Sequence, residues 1–135
     1  NEDIDWFLTN LLERKIHVKI LLFVGYPTET VEDFAMTKDL LSKYADHAKQ
    51  LSVSIDIMRI EHDTPIETDY NDLYEGTGQN WWNEISNYEQ RLERYLELFD
   101  HAKSLGYHFP YHAENKRQRF VEYLRDKETV ITGVL

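Results

Sequence analysis

Cysteine is absent from this 135-residue chain, and glycine, proline and methionine are scarce, with five, three and two copies. Without cysteine the chain can form no disulfide, offer no thiol nucleophile and bind no metal through thiolates. No apolar run is long enough to cross a bilayer. The sequence also lacks a leader with a basic, an apolar and a small-residue part. We therefore expect a protein of the cytoplasm.

Basic residues are outnumbered: 15 Lys and Arg stand against 25 Asp and Glu, which gives a formal charge of −10. Nucleic-acid binding depends on phosphate neutralisation by Lys and Arg, so a nucleic-acid partner is not expected for this segment. Hydrophobic residues make up 41% and aromatic residues 13% of the chain. That content is sufficient for a buried core in a chain of one-domain length.

The most informative stretch runs from an apolar strand through a tight turn into a helix. Apolar residues 21–24 lead to Gly25-Tyr26-Pro27, and Thr30 with Asp33 three places later has the pattern of a capping box. Open α/β sheets bind their ligands at such junctions, where backbone N–H groups are unpaired. The pattern therefore predicts a ligand site at the end of this strand.

Hydrophobic periodicity predicts alternating helices and strands. The predicted elements are a helix over residues 4–15, a strand over 17–25, a helix over 31–48, a strand over 51–60, a long helix over 81–105 with Gly106 as its stop, a helix over 114–125 and a β-branched tail over 129–134. This order favours parallel βα units. We expect residues 1–106 to form these units and residues 107–135 to be a C-terminal extension packed on the same domain.

The second strand has two different faces. Val53, Ile55 and Ile57 share one side, while Ser52, Ser54, Asp56 and Met58 share the other. A polar inner face fits an open barrel that holds a cofactor or substrate, because a closed barrel is filled by apolar layers. The alternative is an antiparallel sheet with one solvated face.

Strand, Gly-x-Pro-x-Glu-Thr and then Asp-Phe resemble the fifth strand and following helix of radical S-adenosylmethionine enzymes. Residues 23, 25–27, 29 and 30 fit that pattern, and Thr28 stands where the family most often has glycine. A weaker resemblance follows, since the strand over 51–60 with Asp63-Thr64-Pro65-Ile66 is similar to the sixth strand and its Gly-Thr-Pro-Leu turn. Together the matches cover roughly residues 10–110.

The resemblance implies the C-terminal portion of a partial (β/α)6 TIM-like barrel. Family members cleave S-adenosylmethionine reductively at a 4Fe-4S cluster held by a three-cysteine loop, which would precede this segment. A chain without cysteine cannot hold that cluster. The resemblance thus implies that a missing N-terminal part of the same polypeptide carries it, and that this chain alone is inactive.

Four residues around the turn are candidates for the cofactor site that the resemblance implies: Phe23, Gly25, Tyr26 and Glu29. Phe23 would pack against adenine, and its alternative role is that of an ordinary core residue. Glu29 has a structural alternative as a carboxylate at a helix start. The substrate-side candidates come from the second strand and the loop after it: Ser54, Asp56, Met58, Arg59 and His62. Solvated loop charges are the alternative there.

Other conspicuous residues have structural interpretations. The six histidines show no recognised metal-ligand spacing, so no metal site is predicted. Trp81 and Trp82 are expected to dock the start of the long helix, or to form a platform for a substrate or partner. Arg91, Arg94 and the neighbouring acids Glu93 and Glu97 are interpreted as a solvated face with surface ion pairs.

Two further functions stay open. One is a cluster-free α/β module that binds a carboxylate or phosphate at the 25–30 turn. The other is a protein-interaction module that pairs through its strand edges. Because two strands cannot close a barrel, the isolated chain is expected to expose edges and to self-associate unless the rest of the polypeptide covers them.

Overall fold

The computed structural model describes residues 2–133. The helices are α1 (Glu2–Glu13), α2 (Val31–Lys43), α3 (Pro65–Asp69), α4 (Tyr88–Ser104) and α5 (Ala113–Gly133), with a 3₁₀ turn at Ala45–His47; the strands are β1 (Val18–Val24) and β2 (Leu51–Ile57). The fold class is mixed α/β, as the alternation predicts. What these elements form is a two-stranded sheet with five helices.

The two strands are parallel, as the sequence order predicts. Val18 pairs with Leu51 and Val24 with Ile57, without a bulge between them. Beyond β2, the peptide at His108 adds a short parallel bridge, in which the Val53 N–H donates to the His108 carbonyl at 2.8 Å. β2 therefore lies between β1 and the 107–109 segment. Within residues 2–133, β1 has a hydrogen-bonded neighbour on one edge only.

One face of the sheet carries the core. Side chains alternate between partly buried and exposed along β1, which ends at the buried Val24, and between buried and less buried along β2. Val53, Ile55 and Ile57 share the buried face, so the prediction that they lie on one side is confirmed. Helix α4 packs across this face, with α2 and α5 on its two sides. Leu92, Leu98 and Phe99 of α4 are fully buried. The core is thus one layer of helices against one face of the sheet.

The helix termini follow the local sequence signals. Thr30 caps α2 and forms the predicted capping box with Asp33. Gly106 ends α4 as predicted, with a φ of +89°. Its N–H donates to the Lys103 carbonyl and the Tyr107 N–H to the Ala102 carbonyl, which is the Schellman pattern.

Two predicted elements were wrong. The long helix begins at Tyr88 instead of Trp81, because Asn87 provides its own capping box and the preceding residues form a loop. The β-branched tail is also wrong for residues 129–133, which continue α5; residue 134 lies outside the described residues. Helical bonds propagated from the preceding turns outweigh the β-propensity of the four β-branched residues there.

Candidate functional site

The second face of the sheet is open within residues 2–133. Register places Leu21 beside Ser54 and Phe23 beside Asp56 on this face. Leu21 is 64% and Phe23 60% exposed. Parallel sheets are normally covered on both faces, so an uncovered apolar pair next to polar residues is unusual for such a sheet. Phe23 is therefore not a core residue of the described fold.

The turn after β1 is held by Glu29. Its Oε1 accepts hydrogen bonds from the Gly25 N–H at 3.0 Å and from Arg94 Nη1 at 2.8 Å. Both charged side chains are largely buried, and Arg94 also donates to the Glu29 carbonyl at 3.3 Å. The carboxylate thus ties the turn to α4 and occupies the N–H that a ligand would meet at Gly25. Tyr26 stays 43% exposed beside it.

Arg91 closes the sheet end beneath this turn. Its Nη2 donates to the carbonyls of Gln79 and Trp81, each at 2.7 Å, and its Nη1 donates to Ser86 Oγ at 3.2 Å. The guanidinium lies 3.8 Å from the Trp81 ring centroid, a cation–π distance. Burial lowers the pKa of Arg91 to about 10, so the group stays charged at neutral pH. Its Nε has no hydrogen-bond partner among the described residues.

The prediction of a solvated arginine face was wrong for both arginines. Arg91 is fully buried and Arg94 largely so. The sequence did contain a signal: residues 88, 91, 92, 95, 99 and 102 share one helical stripe, so Arg91 stands on the apolar face of α4. The interpretation as a solvated face gave more weight to the positive charge of the arginines than to the position of Arg91 on this stripe.

The substrate-side candidates separate into three groups, of which the first two lie on or at the end of β2. Ser54 and Asp56 lie on the open face, where Asp56 accepts from Lys116 Nζ at 2.8 Å. Met58 is partly buried, and its carbonyl accepts the Trp81 indole N–H at 2.9 Å. The structure therefore brings Ser54 and Asp56 together with Phe23, while Met58 supports the 70–87 loop.

Arg59 and His62 are exposed after β2. Arg59 Nε pairs with Glu61 at 2.8 Å, and His62 Nδ1 lies 2.7 Å from Glu67 Oε1. Glu67 also accepts the Asp63 N–H, and these contacts lower the pKa of its carboxyl. A carboxylate only accepts, so Nδ1 of His62 is the donor in this contact. Sequence reasoning missed Glu67, although a carboxylate two residues after Pro65 is a common first-turn feature.

Within residues 2–133, no three metal-binding side chains are grouped closely enough to hold an ion. No helix in that range is both long and apolar enough to span a bilayer. Comparison of the chain with protein-family models, curated proteins and solved structures found no match.

Proposed function

We propose that this chain is the C-terminal part of a radical S-adenosylmethionine enzyme and contributes one wall of its cofactor and substrate chamber. The observation that carries the proposal is the open sheet face, where Phe23, Ser54 and Asp56 lie side by side below the Gly25 turn. This face combines an exposed aromatic ring with polar groups. Ligand pockets show the same mixture of apolar surface and a few placed polar groups.

The one-sided pairing of β1 also supports a larger barrel. Among the described residues its outer edge has no strand beside it. Unpaired strand edges are normally covered or blunted, whereas β1 is an edge strand whose apolar Leu21 and Phe23 are exposed on the open face. A preceding parallel strand from the same polypeptide would cover that edge, and the rest of the barrel would enclose the open face.

The residues present fit the organic cofactor in part and do not fit the cluster. The exposed ring of Phe23 can pack against an adenine, and Tyr26 and Gly25 border the same strand end. Glu29 faces Arg94 and the Gly25 N–H, so we assign it the positioning of the turn. The sequence has no cysteine, so the thiolate ligands of a 4Fe-4S cluster must come from elsewhere in the polypeptide.

The alternative of an anion-binding turn has less support. The Gly25 N–H, which would hold a phosphate or carboxylate, already binds the carboxylate of Glu29 at 3.0 Å. An external anion would have to displace a buried, ion-paired side chain.

The test uses the longer polypeptide that the proposal requires, purified without oxygen and reconstituted with iron and sulfide. We expect a visible cluster absorption, and 5′-deoxyadenosine after addition of dithionite and S-adenosylmethionine. Phe23→Ala should weaken binding of S-adenosylmethionine, while Met36→Ala on the exposed face of α2 should not. A polypeptide that binds neither cluster nor cofactor would overturn the proposal and leave the interaction-module function.

A further inference from the structure

A cleft of about 640 Å³ lies beside the turn, outside the residues assigned above. One wall is the Pro27–Thr28 segment, and the other is the 72–85 loop. Small-molecule sites typically have volumes between about 300 and 1,000 Å³. The cleft is therefore large enough for a small organic ligand.

One hydrogen bond joins the two walls, and three more hold the 72–85 loop together. Asn83 Nδ2 donates to the Pro27 carbonyl at 2.8 Å and to the Leu73 carbonyl at 3.0 Å. Glu75 and Trp82 exchange two backbone hydrogen bonds of 2.8 Å, which form an antiparallel bridge. A cleft with fixed walls loses less conformational freedom when it binds a ligand.

The lining combines aromatic and apolar surface with carboxylates. Trp82 is 49% and Ile85 42% exposed, while Leu73 and Tyr74 are partly buried behind them. The acids of the lining are Asp72, Glu75 and Glu84. The lining includes no lysine, arginine or histidine.

None of these three carboxylates forms an ion pair with a described residue. In contrast, Glu29, Asp56 and Asp100 each hold an Arg or Lys. A cleft lined by charges of one sign concentrates counter-ions of the other sign. The charge of the cleft is thus complementary to a cation.

We propose that this cleft binds an organic cation, with its ammonium or guanidinium group against the Trp82 ring and near the three carboxylates. Tryptophan is the best aromatic partner for a cation, and aromatic surfaces with nearby acids bind quaternary ammonium groups. Apolar contact with Ile85 and Leu73 selects carbon-rich cations over inorganic ones. The cleft is formed by described residues only, and its binding of a cation does not depend on the proposed function.

The test is a titration of this chain with choline and with agmatine, followed by the indole N–H signals of its three tryptophans. The uncharged isostere of choline, 3,3-dimethylbutan-1-ol, is the matched control ligand. We expect saturable shifts of the Trp82 signal with the cations and none with the alcohol. Trp6, exposed on α1, is the internal control. An increase from about 50 to about 500 mM salt should weaken binding, because exposed charges are screened.

Two variants test the two parts of the site separately. Trp82→Ala should weaken choline binding at least about threefold, a loss typical of a cation–π contact. Glu75→Gln should weaken it and reduce the salt dependence, while its backbone bonds to residue 82 remain. Trp6→Ala and Glu93→Gln, which alter an exposed tryptophan and an exposed acid elsewhere, should leave binding unchanged.

Three outcomes would overturn the proposal: no saturable shift with either cation, equal binding of the neutral alcohol, or unchanged affinity in both cleft variants. Retained dispersion of the amide spectrum shows whether each variant is folded. A failure here would not affect the proposed function, whose test depends on the cluster and on S-adenosylmethionine.

Discussion

Arg91 crosses Gly25 so closely that a Cβ atom on Gly25 would lie 2.2 Å from Arg91 Cδ and 2.3 Å from Cγ. Gly25 has a φ of +83°, a conformation that L side chains rarely adopt. The buried arginine side chain therefore fits against the turn only because residue 25 has no Cβ atom. The same glycine that forms the turn makes room for the side chain that closes the sheet end.

Gly25→Ala should destabilise the fold by roughly 2–4 kcal/mol, because overpacking against Arg91 adds to the backbone strain. Gly78→Ala is the matched control, since its φ is +63° and no atom lies within 4 Å of a Cβ there. The control should cost only about 1–2 kcal/mol. Urea unfolding of the two variants measures the difference, and equal costs would show that the Arg91 contact is unimportant.

Arg94→Met should cost about 3–5 kcal/mol, because it leaves the largely buried carboxylate of Glu29 without its cation. Methionine retains an apolar stem of similar length, while the guanidinium that lies 5.8 Å from the Phe34 ring centroid is lost with the ion pair. Glu114→Gln, which removes the exposed ion pair with Lys103, is the comparison and should cost less than about 1 kcal/mol. Denaturant unfolding gives both values; a small loss in Arg94→Met would contradict the anchoring role of Glu29.

Stability should fall as pH rises from 10 to 12, partly because of Tyr107. Its hydroxyl donates to the Leu41 carbonyl at 2.6 Å, and burial raises the pKa of Tyr107 to about 12 from an ordinary value of 10.0. Above pH 10 the unfolded chain releases this proton and the folded chain retains it, so unfolding is favoured. Burial raises the pKa of Tyr95 to about 12 as well, so part of the loss remains without Tyr107.

Tyr107→Phe should therefore be less stable at neutral pH by about 1 kcal/mol and lose less stability between pH 10 and 12. Tyr111→Phe is the control, because Tyr111 is almost fully exposed. Thermal unfolding across this pH range compares the two. An unchanged alkaline slope in Tyr107→Phe would contradict the assignment.

Phe23→Ser should change the free energy of unfolding by less than about 1 kcal/mol and reduce self-association of the chain, because the ring is exposed on the uncovered sheet face. Its neighbour Val24 is fully buried, so Val24→Ala should cost about 2–3 kcal/mol instead. Sedimentation equilibrium and urea unfolding provide the two measurements. An association constant unaffected by Phe23→Ser would place the contact elsewhere.

Local signals in the sequence determined the two strands themselves, the faces of β2, the Thr30 capping box and the Gly106 helix stop. Each depends on residues a few positions apart, where strand alternation, hydrogen bonding by a cap or the conformational freedom of glycine decides the structure. The loop over residues 81–87 was not predicted, because the apolar spacing of Ile85 extended the predicted helix back to Trp81. Asn87 and Gln90 form a capping box, which is the local signal for the actual helix start.

Tertiary structure alone decided how the buried charges find their partners. Glu29 and Arg94 are 65 positions apart, and no local periodicity links them. Arg91 can be buried only because two carbonyls, a hydroxyl and the Trp81 ring converge on it from the loop over residues 79–86, which folds back over the first turn of α4. A charged side chain leaves water only where enough partners meet it, and those partners are brought together by the folded chain.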